Sequence, residues 1–458
     1  RILVSNKMNL DLADRLLKYN EEGKSFRVGV IGAGKFATMF LSQANSSSGF
    51  HIAAIADLNP KRAEEAIRTA GFEKDLNTLG INEAITSNEI WFTDSGLELA
   101  QCEQLDLVIE ATGNPEAGVD HCLAAFEANS HVVLVTVEAD VLCGPAIIKR
   151  ANEAGVVCSM AYGDQPALIC ELIERVKSSG FEVVCAGKGT KYLPVYHSST
   201  PSSVWDYYGL SAQEAAAGGL NSKMFNSFLD GTKSAIEMGA LANATGLGVP
   251  EDGLLFPSVG ISKLSHVLKP KEHGGVLENS GIVEVVSSLE RNGIEIPDNL
   301  RWGVFVVFKS DSIYTEQCFR EYGVPVDESG KYAALWRPIH LIGSELGFSV
   351  ATALLDNKST GATKFFKGDA VSVAKRNLKA GESLDGEGGT TVWGKLIPAS
   401  KSISFNALPI GLAHNVKLLN DVPEGHVISQ KDISPISESN AYTLRKEMET
   451  DFKESYKN

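Results

Sequence analysis

At 458 residues the chain is longer than one compact core usually supports, so two or three domains are expected. Its 43% hydrophobic and 22% charged residues are those of an ordinary globular protein, neither disordered nor fibrous. A formal net charge of −15 argues against nucleic acid and anionic membrane as partners, and no run approaches the roughly 18 apolar residues of a membrane helix.

The opening Arg1-Ile2-Leu3-Val4-Ser5-Asn6-Lys7 has neither the apolar core nor the cleavage site of a secretory leader, which predicts a cytoplasmic protein. Seven cysteines (Cys102, Cys122, Cys143, Cys158, Cys170, Cys185 and Cys318) stand singly in apolar surroundings and read as reduced, buried thiols. Nine histidines form no HxH or HExxH spacing, so no structural zinc site is expected.

Leucines at 10, 12, 16 and 17 predict a short amphipathic helix over residues 9–20. From Phe26 strands and helices alternate. Strands are expected at Phe26 to Ile31, His51 to Ala56, Leu105 to Ala111, His131 to Val137 and Val156 to Ala161. Helices are expected between them, at Ala37 to Ala44, Pro60 to Ala70, Pro115 to Asn129 and Pro145 to Ala154. This alternation predicts a parallel, doubly wound sheet over residues 1–163.

After Gly163-Asp164-Gln165-Pro166 the texture changes. A helix from Ala167 to Ser178, a strand near 182–189, a helix-like stretch from Ser222 to Ala244 and a strand from Gly303 to Phe308 predict an α+β domain over 164–365. A closing helix from Pro338 to Leu355 is expected to return to the first domain. From Phe366 the chain is β-rich with regular turns, which marks a third domain over 366–458.

The first chemistry lies at Val30-Ile31-Gly32-Ala33-Gly34-Lys35-Phe36-Ala37, a strand–turn–helix with the GxGxxA spacing. Gly32 permits the tight turn, Gly34 lets the backbone approach a pyrophosphate, and Ala37 keeps helix and strand close. The helix N-terminus beyond them faces the phosphates. Asp57 ends the second strand, where a carboxylate meets ribose hydroxyls. Ala111, Thr112 and Gly113 close the next strand and complete a nicotinamide dinucleotide site. Asp57 favours NAD, whereas Lys61 and Arg62 are placed to compensate a 2′-phosphate, so these residues alone do not choose between NAD and NADP(H).

The GxGxxA loop, the turn Ala111-Thr112-Gly113-Asn114-Pro115 and Asp230-Gly231-Thr232-Lys233 resemble homoserine dehydrogenases. The stretches Ala374-Lys375-Arg376-Asn377-Leu378-Lys379-Ala380-Gly381-Glu382 and Asp421-Val422-Pro423-Glu424-Gly425-His426-Val427-Ile428 resemble a SAF domain. The combination resembles the 1-deoxy-D-xylulose 5-phosphate reductoisomerase-like proteins over nearly the whole chain. The resemblance implies a Rossmann domain, an α+β catalytic and oligomerisation domain and a β-rich SAF-like domain. It also implies a dimer or tetramer, and tilts the cofactor towards NADP(H). The implied reaction is isomerisation of a phosphorylated ketose followed by hydride transfer. Glu138 departs from the homoserine dehydrogenase pattern, standing where those enzymes usually carry lysine, which leaves room for a divalent metal such as Mg or Mn or for a different proton-transfer scheme.

Such chemistry polarises one carbonyl and one hydroxyl together and then protonates an alkoxide. Asn226, Asp230, Lys233 and Glu237 recur at helical spacing and are expected on one face, with Lys233 as proton donor or electrophile and Asp230 orienting it. An ordinary solvated pair between Asp230 and Lys233 is the alternative. Lys188 and Lys191 are expected to grip a phosphate or the reacting oxygens, or else are turn lysines. Ser198, Ser199 and Thr200 offer hydroxyls to substrate, as ordinary loops also do. Arg337 and His340, at the start of the returning helix, suit an anion. Glu138 and Asp164 are the candidate metal ligands. The SAF-like region shows no catalytic cluster and is expected to cover the cleft or support assembly.

The sequence therefore points to an NADP(H)-dependent oxidoreductase or reductoisomerase of a small sugar phosphate. The alternatives are a dehydrogenase of an unphosphorylated sugar acid or polyol and a dinucleotide-sensing regulator.

Overall fold

A computed structural model describes residues 11–455, so residues 9 and 10 of the expected first helix and the opening residues 1–7 lie outside the described residues. The chain forms two compact units. One comprises the chain up to Thr136, Ile147–Ala167 and Leu341–Ala362; the other comprises Val137–Ala146, Leu168–His340 and the chain from Thr363 onward.

The first unit is built on seven parallel strands: β1 (Phe26–Ile31), β2 (Phe50–Ala56), β3 (Leu76–Asn77), β4 (Ile90–Thr93), β5 (Leu107–Glu110), β6 (His131–Leu134) and β7 (Cys158–Met160). Their order is β3-β4-β2-β1-β5-β6-β7, so the winding direction reverses beside β1. Such a switch point opens a crevice at the carboxyl ends of the strands. The register decides what lines it. Ile31 pairs with Ala56 on one side and Glu110 on the other, so Gly32, Asp57 and Ala111 emerge together at one edge.

Covered on both faces, the central strands are continuous apolar runs, and Val28, Val30, Ile55, Leu107 and Ile109 are fully buried. The intervening helices begin on local signals. Asn59 caps Pro60–Thr69 through the Lys61 N–H (3.1 Å), and Asn114 caps Pro115–Glu127 through the Ala117 N–H (3.1 Å). The expected helix over 338–355 is shorter, at Gly347–Asp356. Pro338 and Gly343, the latter at φ +78°, hold the preceding residues in turns. The helix buries Val350, Ala351 and Ala353 in the cluster that contains Phe40, Leu41 and Leu16.

The second unit holds a mixed sheet of β8 (Glu182–Thr190), β9 (Ile282–Ser287), β10 (Val304–Lys309) and β11 (Tyr332–Arg337), in the order β11-β10-β8-β9. The stretch expected as one helix over 222–244 is two, Ser222–Asp230 and Thr232–Thr245. Gly231, at φ +93°, ends the first and starts the second. The single helical face expected for Asn226 to Glu237 is therefore broken in the middle. The C-terminal region pairs β12 (Gly368–Ala374) with β14 (Val392–Pro398), and β13 (Ser383–Asp385) with β15 (His414–Lys417).

A helix at Asn440–Ser455 ends the described chain. Its Arg445, only 1% exposed, donates to Asp369 at 2.9 and 2.6 Å, to Glu449 at 2.8 Å and to the Leu142 carbonyl at 3.1 Å. Removing one side of a buried pair leaves an uncompensated charge. Arg445→Ala is expected to lower unfolding stability by about 3–5 kcal/mol, read from the urea midpoint; an unchanged midpoint would show that Asp369 is otherwise satisfied.

Candidate functional site

The crevice of the first unit has the shape of a pyrophosphate cradle. Gly32 sits at φ +95°, and a Cβ there would lie 2.6 Å from the Ala111 carbonyl oxygen. A Cβ on Gly34 would instead meet nothing within 4 Å, and Gly34 precedes helix Lys35–Ala44 without any side-chain cap. The first-turn N–H groups thus face open space, which fits a phosphate. Lys35 is exposed at this end and Phe36 is partly buried beside it.

Asp57 is buried and heavily engaged. Its carboxylate accepts from the N–H groups of Ala33 and Asn59, both at 2.8 Å, and from the Arg62 guanidinium at 2.7–3.1 Å. Burial would raise this carboxyl, but Arg62 and the two N–H donors outweigh it and hold the group below its usual value. Arg62 is half exposed and neutralises the charge that would repel a 2′-phosphate.

On the other side, Glu110 organises the Ala111–Asn114 turn. Fully buried, it accepts from Thr112 Oγ1 (2.6 Å) and from Thr136 Oγ1, and lies 3.2 Å from His121 Nδ1. Thr136 Oγ1 in turn accepts the Gly113 N–H at 3.0 Å. Glu110, His121 and Thr136 were not singled out from the sequence, although Glu110 directly precedes the Ala-Thr-Gly turn that was.

In the second unit most of the expected catalytic residues do meet, with partners other than those expected. Lys233 pairs with Glu138, and Lys188 on β8 pairs with Glu237 of helix Thr232–Thr245. Asp230, expected to orient Lys233, has a partner of its own. It forms an ion pair with Lys375 of the C-terminal region at 2.8 Å, both side chains at most 2% exposed. Lys375 also donates to the carbonyls of Ser199 (2.6 Å) and Gly389 (2.8 Å). Asn226 donates to the carbonyls of Ser199 (3.1 Å) and Gly388 (3.0 Å) and accepts from Ser199 Oγ at 2.7 Å.

Further residues of this cluster carried no sequence signal. Glu387 accepts from Ser227 Oγ. Burial pushes its carboxyl well above the carboxylate range, and Glu138 and Asp230 add to this while Lys233 and Ser227 oppose it. His197 donates Nδ1–H to the Asp230 carbonyl (2.7 Å), accepts the Tyr192 hydroxyl at Nε2 (2.9 Å) and stacks on Trp393 at 3.8 Å. Burial pulls this imidazole down to about 4, so it is neutral.

Other expectations are placed differently. Lys191 turns away to the Tyr207 carbonyl, so it does not join Lys188 in one grip. The Ser198 hydroxyl donates to Val195 O (2.8 Å) and that of Thr200 bonds Ser202 at 2.8 Å, so these two hydroxyls are spent within the loop, while that of Ser199 goes to Asn226. Arg337 ends β11 rather than opening a helix, and His340 donates Nδ1–H to the Trp302 carbonyl at 2.6 Å. Asp164, in the first unit, accepts the Gln165 N–H at 2.9 Å. Among the described residues no group of three or more His, Cys, Asp or Glu is arranged to hold a metal ion, and Glu138 is paired with Lys233.

Residues 26–162 match the family described as "Oxidoreductase family, NAD-binding Rossmann fold", and residues 163–346 match "Oxidoreductase DRL, catalytic domain". These matches make the chain an NAD(P)-dependent oxidoreductase. No curated protein matches it. Among solved structures, 1-deoxy-D-xylulose 5-phosphate reductoisomerase from Zymomonas mobilis in complex with NADPH is 16% identical, with a TM-score of 0.32 over 48% of this chain and 58% of that one. A myo-inositol dehydrogenase from Lactobacillus casei is 15% identical, with a TM-score of 0.28 over 39% and 50%. The putative oxidoreductase yvaA from Bacillus subtilis is 14% identical, with a TM-score of 0.37 over 74% and 91%. The chain thus spans 58% of the length of the first and 50% of the second.

The two glycines separate folding from binding. Gly34→Ala is expected to leave the melting temperature unchanged, because the added methyl meets nothing within 4 Å, and to weaken NADPH binding at least about tenfold if the pyrophosphate lies at this helix end. Gly32→Ala is expected to lower the melting temperature as well, through its positive φ and the clash with Ala111. Fluorescence titration of NADPH beside thermal melts checks both; unweakened binding by Gly34→Ala would place the pyrophosphate elsewhere.

Proposed function

We propose that this NAD(P)-dependent oxidoreductase is an NADP(H)-linked reductoisomerase of a sugar phosphate. The substrate to test first is 1-deoxy-D-xylulose 5-phosphate, with 2-C-methyl-D-erythritol 4-phosphate as product. The observation that carries the reading is that helix Thr232–Thr245 presents two lysine–carboxylate pairs one turn apart, Lys233–Glu138 and Lys188–Glu237. Simple carbonyl reduction needs one proton donor. A reductoisomerisation also removes a proton from a hydroxyl while the carbon skeleton rearranges, so it needs two acid–base units.

In this scheme Lys233, held by Glu138, donates a hydrogen bond to the carbonyl oxygen and stabilises the negative charge that develops there. Glu237, bridged to Lys188, accepts the proton of the neighbouring hydroxyl. Reduced nicotinamide, when bound, supplies hydride. Preference for NADP(H) follows from Arg62, whose guanidinium cancels Asp57 and leaves Lys61 as a further cation at the ribose end.

A second reading, dehydrogenation of an unphosphorylated sugar acid or polyol, is favoured by one observation. Lys188 and Lys233 both face carboxylates, and the Ser198–Thr200 hydroxyls bond within the protein, so no ready phosphate grip stands among them.

Turnover of phosphorylated ketoses and of sugar acids with NADPH, NADH and their oxidised forms, with and without Mg²⁺ or Mn²⁺, decides between the two. Rearranging reduction of the ketose phosphate is expected, faster with NADPH, and oxidation of sugar acids alone would establish the second reading. Lys233→Ala is expected to lower kcat by about 10²–10⁴ with NADPH affinity retained; full turnover by this variant would remove Lys233 from the mechanism.

A further inference from the structure

Loop 385–391 of the C-terminal region is docked onto helix Ser222–Asp230 with unusual closeness. A Cβ on Gly388 would lie 1.9 Å from the Lys223 carbonyl oxygen, so only glycine permits the approach. Four side chains fix the loop. Asp385 accepts the Thr390 N–H (2.6 Å) and the Thr391 N–H (3.0 Å) from within it. Asn226 reaches the Gly388 carbonyl, Lys375 the Gly389 carbonyl, and Lys223 the Asp385 carbonyl at 2.5 Å. The residue this anchoring presents is Glu387. Ser227 Oγ holds its Oε1, one helical turn before Asp230, and the residue as a whole is half-buried, not closed off in the core.

We infer that Glu387 is the general acid of the active centre, so that the C-terminal β-rich region supplies a catalytic group instead of only covering or assembling the enzyme. This rests on the reductase chemistry proposed above. When the substrate carbonyl carbon has received hydride from the reduced nicotinamide, its oxygen is an alkoxide. The Glu387 O–H bond breaks, the proton forms the alcohol O–H, and the electron pair stays on the carboxylate, which solvent then reprotonates. In oxidation the same carboxylate takes the hydroxyl proton. Lys233 stabilises the charge on that oxygen without giving up its own proton. Burial and the neighbouring carboxylates Glu138 and Asp230 favour the acid form of Glu387, against the opposing charge of Lys233; Lys375 is already committed to Asp230.

Glu387→Gln keeps the Ser227 contact and removes only the transferable proton. With the substrate that the wild-type enzyme reduces, kcat is expected to fall at least about 10²-fold. KM, NADPH affinity and melting temperature should stay within about twofold or a degree or two of wild type, as for a substitution that removes only a proton. A kcat within threefold of wild type would overturn the assignment. A wild-type enzyme that reduces nothing in the ketose and sugar-acid panel refutes the functional reading, a different failure. Glu387 is then judged by infrared difference spectra of the unliganded protein at neutral pH. Loss of one protonated-carboxyl band in Glu387→Gln supports the acid, and an unchanged protonated-carboxyl region overturns it.

Discussion

The geometry of the second unit hangs on one buried ion pair, Asp230 with Lys375. Neither group reaches water, and each alone would cost several kcal/mol to bury. Together, and with the Ser199 and Gly389 carbonyls on the same ammonium, they tie three segments distant in sequence: the end of helix Ser222–Asp230, the Ser198–Thr200 loop and the 385–391 loop. Gly231, free of a Cβ, turns left-handed directly after Asp230, and the helix it opens carries Lys233 to Glu138.

Around this knot the charges are arranged in opposites. Lys188, Lys233 and Lys375 each face a carboxylate, so the cluster is electrically close to balanced in spite of its many ionisable groups. A balanced cluster is suited to shifting protons between hydroxyl and carbonyl oxygens, since moving one proton does not leave an isolated buried charge. The first unit follows the same economy. Arg62 cancels Asp57 beside the glycine loop, and buried Glu110 is met by hydroxyls and His121 at the neighbouring turn.

What was legible in the sequence was local. Strand, glycine turn and helix are consecutive residues, and their spacing alone specifies the loop at Gly32 to Ala37, the helix starts at Pro60 and Pro115, and the carboxylate at Asp57. The helix over 222–244 was misread because helical periodicity continues through Gly231 while the backbone does not. Residues 338–346 were misread in the same way, their apolar spacing hiding turns at Pro338 and Gly343. The partners of Asp230 and Lys233 were out of reach for a different reason. Lys375 lies 145 positions after Asp230 and Glu138 lies 95 before Lys233, separations that only tertiary packing can close. Glu387 sits between turn residues and looks like a solvated loop carboxylate until the helix beneath it is known.

The central claim is that paired acid–base groups rearrange a carbon skeleton as well as reduce it. Carbon-13 NMR of the product formed from labelled 1-deoxy-D-xylulose 5-phosphate and NADPH tests this most directly. A branched polyol phosphate, in which the labelled carbon has changed neighbours, is the predicted result. A straight-chain reduced phosphate with every original carbon–carbon bond intact would contradict it.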